Sequence, residues 1–318
     1  MGTKLGRIAE ISVATRRPIF TSLYHLINED LLKECHRELD GKKAVGIDKV
    51  TKEEYGKQLD SNIADLVKRL KNKSYKPLPT RRVYIPKANG KLRPLGIVAY
   101  EDKIVQSALK KILEAIYEPR FLNCMYGFRP KRGCHEAVKE VYQRVSHGKI
   151  NFIVDADIKG FFDHIDHEWM MKFLEWHIKD PNILWLVRKY LKAGVMVDGK
   201  YEDTEEGTIQ GGNISPTLAN IYMHNVLTLW FKLVIQKEAG GECFLVNYAD
   251  DFVAGFQYKS DAEHYYAALK ERMAKFNLEL EDSKSRLIEC GRYAEQNRKA
   301  RGLGKPETFD FLGFTFYY

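Results

Sequence analysis

The alternation of apolar and polar positions predicts the strands of this chain, and a three-to-four-residue apolar repeat predicts its helices. In residues 243–256, apolar runs flank a polar tip, Tyr248-Ala249-Asp250-Asp251. Val and Phe favour strands and Asp favours turns, so this pattern predicts two short strands joined tightly. Residues 152–158 read as another strand, ended by Gly160. Alternation puts Asp155 and Asp157 on one face and Phe152, Val154 and Ala156 on the other. Residues 81–97 predict a hairpin about Asn89-Gly90, and residues 195–201 a second about Asp198-Gly199. Helical spacing marks 101–117, with Ile104, Ala108, Ile112 and Ile116 on one face, then a segment from about 135, then 166–178, 182–192 and 261–276. Residues 210–216 open a long helix to about 236. Near the start, Leu23, Leu26, Ile27, Leu31, Leu32 and Cys35 predict helices separated by an Asn28-Glu29-Asp30 turn. Thr51, followed by Glu53 and Glu54, predicts a helix N-cap. Residues 292–306 are basic and glycine-bearing and predict a loop or mobile ribbon, and 309–318 are an apolar run.

Composition narrows the class. The 318 residues suffice for two subdomains with a sizeable core, and 44% hydrophobic residues mark a globular chain. Lys plus Arg number 51 against 43 Asp plus Glu, a net +8 that suits a polyanionic partner. Five cysteines, Cys35, Cys124, Cys134, Cys243 and Cys290, form no Cys-x-x-Cys pair. That argues against zinc and a disulfide framework and fits a reducing compartment. No signal peptide and no apolar run of about 18 residues is evident, so no membrane span is expected.

The carboxylates change the picture most. Asp250 and Asp251 at the end of a buried ribbon repel each other, and a divalent cation removes that penalty. Hard carboxylate oxygens suit Mg2+, which takes one or two carboxylates together with substrate phosphates. A solvated Asp-Asp turn is the bland alternative. Asp157, delivered to the end of a second apolar strand, makes a third carboxylate in a matching setting. Two ions about 3.5–4 Å apart could then activate the attacking oxygen and stabilise the leaving oxygen of a phosphoryl transfer. Asp155 and Asp163 are weaker candidates for the same cluster.

Tyr248-Ala249-Asp250-Asp251 and Asp157-Ile158-Lys159-Gly160-Phe161-Phe162-Asp163 resemble the two catalytic motifs of reverse transcriptases. The ordered set from Gly46-Ile47-Asp48 to Phe311-Leu312-Gly313-Phe314 resembles the bacterial group II intron reverse transcriptases, or maturases, over nearly the whole chain. The resemblance implies an α/β (α+β) right-hand polymerase with fingers and palm, an antiparallel palm sheet backed by helices, and no thumb. The implied divisions are 1–132 for the N-terminal extension and fingers, 133–164 for palm, 165–213 for fingers and 214–318 for palm.

It also implies roles. Asp157, Asp250 and Asp251 would be catalytic and, with Ile158, would hold two Mg2+ ions, for which Mn2+ could substitute. Lys87, Arg93, Phe162, Gln210 and Lys284 would bind nucleotide, with Phe162 as a gate against the ribose 2′-hydroxyl. Tyr248, Ala249, Gly211, Gly212 and Arg129 would meet primer and template. Arg16, Arg17, Arg81 and Arg82 would bind RNA. Expected partners are template and group II intron RNA, a DNA or RNA primer and dNTPs, with no membrane, in a bacterial cytoplasm. A homodimer of the thumbless fragment is a further expectation. Two other readings remain beside the polymerase: a non-catalytic RNA-binding splicing cofactor, and a reverse transcriptase of a defence or diversity-generating system.

Overall fold

The computed structural model describes residues 2–86, 90, 92–197, 199–291 and 293–317. Its strands are β1 (Thr80–Pro86), β2 (Leu92–Ile97), β3 (Phe152–Ala156), β4 (Val195–Val197), β5 (Lys200–Glu202), β6 (Cys243–Tyr248), β7 (Asp251–Phe256), β8 (Arg286–Glu289), β9 (Phe309–Phe311) and β10 (Phe314–Phe316). The chain divides into two units: Met1–Arg120 with Phe162–Leu218, and Phe121–Phe161 with Ala219–Tyr318. It is a mixed helix and sheet protein in which antiparallel pairing predominates.

The first unit holds a four-stranded sheet in the order β2-β1-β4-β5. β1 and β2 form the expected antiparallel hairpin, Arg81 opposite Ile97 through Pro86 opposite Leu92. Its turn residues Lys87 to Asn89, with Lys91, lie outside the described residues, as does Asp198 of the second hairpin. β4 runs parallel beside β1, Thr80 opposite Val195. Partners more than a hundred residues apart leave no local signal, so this pairing was not expected. The helix Tyr100–Tyr117 buries Ile104, Ala108, Ile112 and Ile116 completely, as their spacing required. Thr51 Oγ1 accepts from Glu54 N at 3.1 Å and caps the helix Lys52–Gly56.

The N-terminal expectation needs correcting. Asn28 caps the helix Glu29–Glu38, its side chain accepting from Leu31 N at 3.1 Å. What precedes it is a single 3-10 turn, Tyr24–Leu26, and the helix Gly2–Ala14 lies further upstream. Leu23, Leu26 and Ile27 span too short a segment to sustain a second helix without a side-chain cap. Asp180 fastens this segment down. Its buried carboxylate accepts from Leu23 N (2.6 Å) and Tyr24 N (2.8 Å) and caps the helix Pro181–Leu191 through Asn182 N (2.9 Å) and Ile183 N (3.4 Å). Burial acts to raise this carboxyl, but the four backbone donors together outweigh it and hold it below the usual range.

The second unit is built on an antiparallel sheet in the order β6-β7-β3-β8. The helix Cys134–His147 packs Ala137, Val141 and Val145 against Ile153, Phe244, Val246, Val253 and Ile288, and the β9–β10 hairpin adds Phe309 and Phe311 to the same core. Residues 292–306 are not simply a loop, because Ala294–Ala300 is a helix. Its sequence, Ala-Glu-Gln-Asn-Arg-Lys-Ala, consists mostly of good helix formers, and Gly302 at φ +70° follows its end.

The helix Ser215–Glu238 is the long helix expected to run to about residue 236. Its mean hydropathy of 1.2 makes it long and apolar enough to cross a membrane, although no uninterrupted apolar run is present. It is a core helix, 67% buried inside the protein along that window. Residues 224–228 and 231–235 widen to π-helix. Arg272 takes up carbonyls released there, donating to Val226 O at 2.8 Å and Asn225 O at 3.0 Å, with its guanidinium over Phe276 and Trp230.

Replacing Asp180 by Ala strands four backbone donors, two of them in the buried N-terminal segment. We expect a loss of about 2–4 kcal/mol in denaturant unfolding at pH 7. A carboxyl lowered by folding stabilises above its unfolded value near 4 and loses that contribution as pH falls through the folded value, so the wild-type advantage should shrink in acid.

Candidate active site

The turn that carries Asp250 and Asp251 is tightly specified. β6 and β7 pair from Cys243 opposite Phe256 to Tyr248 opposite Asp251, leaving Ala249 and Asp250 as a two-residue connection. Ala249 is buried at φ +58°, a left-handed backbone that L-residues rarely adopt. Three contacts hold it there. Asn247, fully buried, donates from Nδ2 to Ala249 O at 2.8 Å. Gly127 lies so close that a Cβ on it would collide with the Ala249 main-chain nitrogen. Asn220 Nδ2 in turn donates to Gly127 O at 2.8 Å. The polar tip is thereby fixed by groups on three separate segments.

Asp157 reaches the same place from β3. The β3–β7 register sets Asp155 opposite Val253 and Ala156 opposite Phe252, so Asp157, just past the strand, is aligned with Asp251. Asp157 is anchored on both sides of its peptide: its N–H donates to Ser285 Oγ at 3.3 Å and its carbonyl accepts from Glu281 N at 2.8 Å. Ile158 forms an isolated bridge with Leu280, and its carbonyl takes no part in that bridge.

A cleft of about 410 Å³ is lined by Asp155, Asp157, Asp251, Lys284, Arg286 and Asp310, among others. Desolvation first, then the charges of Asp250 and Asp157, raise the Asp251 carboxyl to about 6, and Lys284 opposes them. Asp251 is exposed, so solvent tempers the desolvation and the like charges are the sturdier cause. Asp155 is also raised to about 6, by burial and by Asp157 and Asp310, with Arg286 at 3.8 Å acting against them. The Lys284 ammonium is ion-paired with Asp157 Oδ2, and that bond raises the lysine's own pKa. The cleft therefore holds more negative charge than its cations neutralise.

Among the described residues no three His, Cys, Asp or Glu side chains form a closed metal cage. The donor set nevertheless fits Mg2+, which commonly takes one or two carboxylates and leaves its other positions to water and phosphate. Asp157 and Asp251 are two hard oxygen donors on aligned positions, and their mutual repulsion falls when a cation enters.

The other residues singled out in the sequence lie in varied settings. Arg129 is buried and donates to Leu122 O (2.9 Å) and Met125 O (3.0 Å) within its own loop, over the Phe121 ring. In the first unit, Arg82, Phe162, Asp163 and Gln210 line a cavity of about 290 Å³ with Gly96 and Thr208. Phe161 faces the core instead, so the adjacent aromatics do divide between core and cavity. Gly96 N donates to Gln210 O at 2.6 Å, and a Cβ on Gly211 (φ +108°) would lie 2.6 Å from Gly96 O. The Gln210-Gly211-Gly212 loop can approach β2 this closely only as glycine. Arg93 is exposed on β2, and Lys87 lies outside the described residues. Arg16 and Arg17 are exposed, Arg17 lying 5.8 Å from the Trp176 ring, while Arg81 donates to Val45 O at 2.8 Å.

Sequence reasoning missed Gly127, Asn220 and Asn247, which fix the turn, and Arg286 and Asp310, which charge the cleft. Gly127 lies between two aromatics, Tyr126 and Phe128, and Asp310 lies beside the Phe311-Leu312-Gly313-Phe314 motif. Asn220 and Asn247 had no signal beyond being polar residues in apolar runs.

Comparison with known proteins agrees in outline. The profile described as reverse transcriptase (RNA-dependent DNA polymerase) matches residues 85–316. The group II intron-encoded protein LtrA of Lactococcus lactis subsp. cremoris is 37% identical over 239 residues, covering 74% of this chain and 40% of that protein. The protein YkfC of Escherichia coli strain K12 is 38% identical over 187 residues, 58% of this chain and 49% of its own. Nuclear intron maturase 1, mitochondrial, of Arabidopsis thaliana is 30% identical over 93 residues, 29% of this chain and 13% of that protein. The chain thus spans less than half the length of these relatives.

Two outcomes follow from the cleft. Between pH 4 and 6 the folded chain keeps a proton on Asp251 that the unfolded chain has lost, so this group's contribution to stability falls as pH rises through that window. In EDTA at pH 7.5, Asp251→Asn should melt higher than wild type, and at pH 4 the gap should close. Gly127→Ala should displace the turn and weaken Mn2+ binding about tenfold or more, measured by Mn2+ electron paramagnetic resonance, with the far-ultraviolet dichroism unchanged.

Proposed function

The chain belongs to the reverse transcriptase (RNA-dependent DNA polymerase) family, and from that premise we propose that it extends a primer 3′-hydroxyl with dNTPs on an RNA template, as a group II intron reverse transcriptase. The observation that carries the reading is the alignment of Asp157 with Asp251, next to Asp250, in a cleft with excess negative charge. We assign the palm to the second unit and the fingers to the first.

In this reading Asp157 and Asp251, with the Ile158 carbonyl, hold divalent metal, and Asp250 adds charge from the turn. Bound Mg2+, or Mn2+ in its place, supplies a lowered pKa for the attacking hydroxyl and neutralises charge on the transferring phosphate. Lys284 keeps Asp157 compensated in the resting site and turns to a phosphate when metal and nucleotide enter. Asn247 and Gly127 hold the carboxylates in place, so no reorganisation is needed at the moment of reaction. Tyr248, Ala249 and Arg129 shape the surface for primer and template, Arg129 acting through the carbonyls it holds.

The first unit's share is proposed from its own cavity. Phe162 and Gln210 line it, and Arg82 and the exposed Arg93, with Lys87, offer cations to the triphosphate. Gly211 and Gly212 let the loop floor approach β2. Intron RNA binding through Arg16, Arg17, Arg81 and Arg82 belongs to the same proposal, supported by the net charge of +8 and by the intron-encoded relatives.

Primer extension on poly(rA) with oligo(dT) should proceed with wild type and be lost with Asp250→Asn/Asp251→Asn, while affinity for RNA stays unchanged. Activity equal to wild type in the double variant would remove the carboxylates from catalysis. Phe162→Val should admit ribonucleotides about tenfold to a hundredfold more readily relative to dNTPs, because the clash with a 2′-hydroxyl and its stranding against carbon both disappear. An unchanged ratio in an active variant would acquit Phe162 as the gate.

A further inference from the structure

β6 is the outer strand of the second unit's sheet, and its two halves differ. Near the turn the edge is covered: Asn247 N donates to Cys124 O at 2.8 Å and Tyr126 N donates to Asn247 O at 2.8 Å, a short parallel bridge. Residues 122–125 then turn away, closed by Met125 N on Leu122 O. Further along, Gln257 N donates to Glu242 O, which fixes the phase of the β6–β7 ladder. Glu242, Phe244 and Val246 point their backbone groups at β7, so Cys243 and Leu245 point theirs outward, in phase with Asn247. Among the described residues no acceptor or donor meets the outward groups of Cys243 and Leu245.

Those groups open onto a cavity of about 570 Å³, bounded by the helices Cys134–His147 and Ser215–Glu238. Its floor is apolar, with Leu122, Phe231 and Leu245. Its rim carries Arg132, Arg144 and Lys232 against the one carboxylate of Glu140, which Arg144 Nε meets at 2.9 Å. Cys124 and Cys243 also line it, and burial pushes both thiols up to about 11, so they stay neutral and add no negative charge. The cleft with the carboxylates is lined by β3, β7 and β9 residues and shares none of these groups.

An exposed strand edge is a template for another strand, and proteins commonly cover or charge such edges. Here one half is covered by the chain itself and the other is framed by a basic rim. We propose that this open half of β6 docks an extended acidic peptide segment of a partner protein, which adds to the sheet as a further strand beside residues 243–245. Main-chain hydrogen bonds to Cys243 and Leu245 supply the affinity, and Arg132, Arg144 and Lys232 select acidic side chains. Three strand residues cover only about 7 Å, so the segment is short and its hold depends on both contributions. A nucleic acid would use the cations but leave the outward amides and carbonyls unmatched, which favours a peptide.

The test uses the full chain and a fluorescein-labelled peptide of alternating Glu and Val, read by fluorescence anisotropy and by amide hydrogen exchange. The peptide should bind and slow exchange at the Cys243 and Leu245 amides. Methylating alternate peptide nitrogens, reversing Glu to Lys, or the pair Arg144→Glu and Lys232→Glu should each weaken binding about tenfold or more. Cys243→Pro removes one outward donor without touching the β7 ladder and should weaken binding too, with retained primer extension as the check on folding. No binding by the Glu-Val peptide up to its solubility limit would overturn the proposal. So would equal binding of the N-methylated peptide, or protection of these amides by oligo(A) RNA or by self-association in place of the peptide.

Discussion

Like charges repel, and the second unit is organised around bringing several together. Asp155, Asp157 and Asp251 line one cleft, Asp250 stands beside Asp251, and burial together with these neighbouring charges raises the carboxyls of Asp155 and Asp251 to about 6. Nothing about the carboxylates themselves favours that arrangement. The apolar packing of β3, β6 and β7 against Ala137, Val141 and Val145 supplies the stability, and the charges ride at the ends of strands whose register is fixed by burial. Lys284 and Arg286 offset part of the repulsion. The remainder is repulsion that a bound cation would relieve, and the proposed phosphoryl transfer rests on that feature.

Close backbone approach is the second device, and both units use it. Gly127 seats the Ala249 turn, and Gly96 with Gly211 seats the Gln210 loop. In each case a backbone passes where any side chain would intrude, so the functional residues are held by main chain rather than by long flexible groups. Under the proposed function, such placement would keep the carboxylates and the cavity around Phe162 in shape before a substrate arrives and so lower the reorganisation needed in the reaction.

Much of this was legible in the sequence because it is local. The β6–β7 hairpin, β3, the β1–β2 hairpin, the buried stripe of the helix Tyr100–Tyr117 and the Thr51 cap all follow from periodicity and turn chemistry within a few residues. The resemblance to reverse transcriptases added an order of motifs that single residues could not carry. What stayed hidden is long-range. The β1–β4 pairing joins distant residues, and Asn220 and Asn247 act only through partners that folding brings near. Asp180 read as an unremarked acid before a proline, yet it ties Leu23 and Tyr24 across more than 150 positions. The helix Ala294–Ala300 was hidden differently, because its charge and flanking glycine suggested a loop while its residue propensities favoured a helix.

Whether Asp157 and Asp251 together hold a divalent ion is read by a Mn2+ titration with electron paramagnetic resonance in the presence of dTTP. The wild-type chain should bind Mn2+ tightly, and binding should be lost in Asp157→Asn and in Asp251→Asn beyond what dTTP alone retains, with Lys284→Ala binding at least as well as wild type. Equal Mn2+ binding by wild type and both Asn variants would show that these carboxylates do not share an ion.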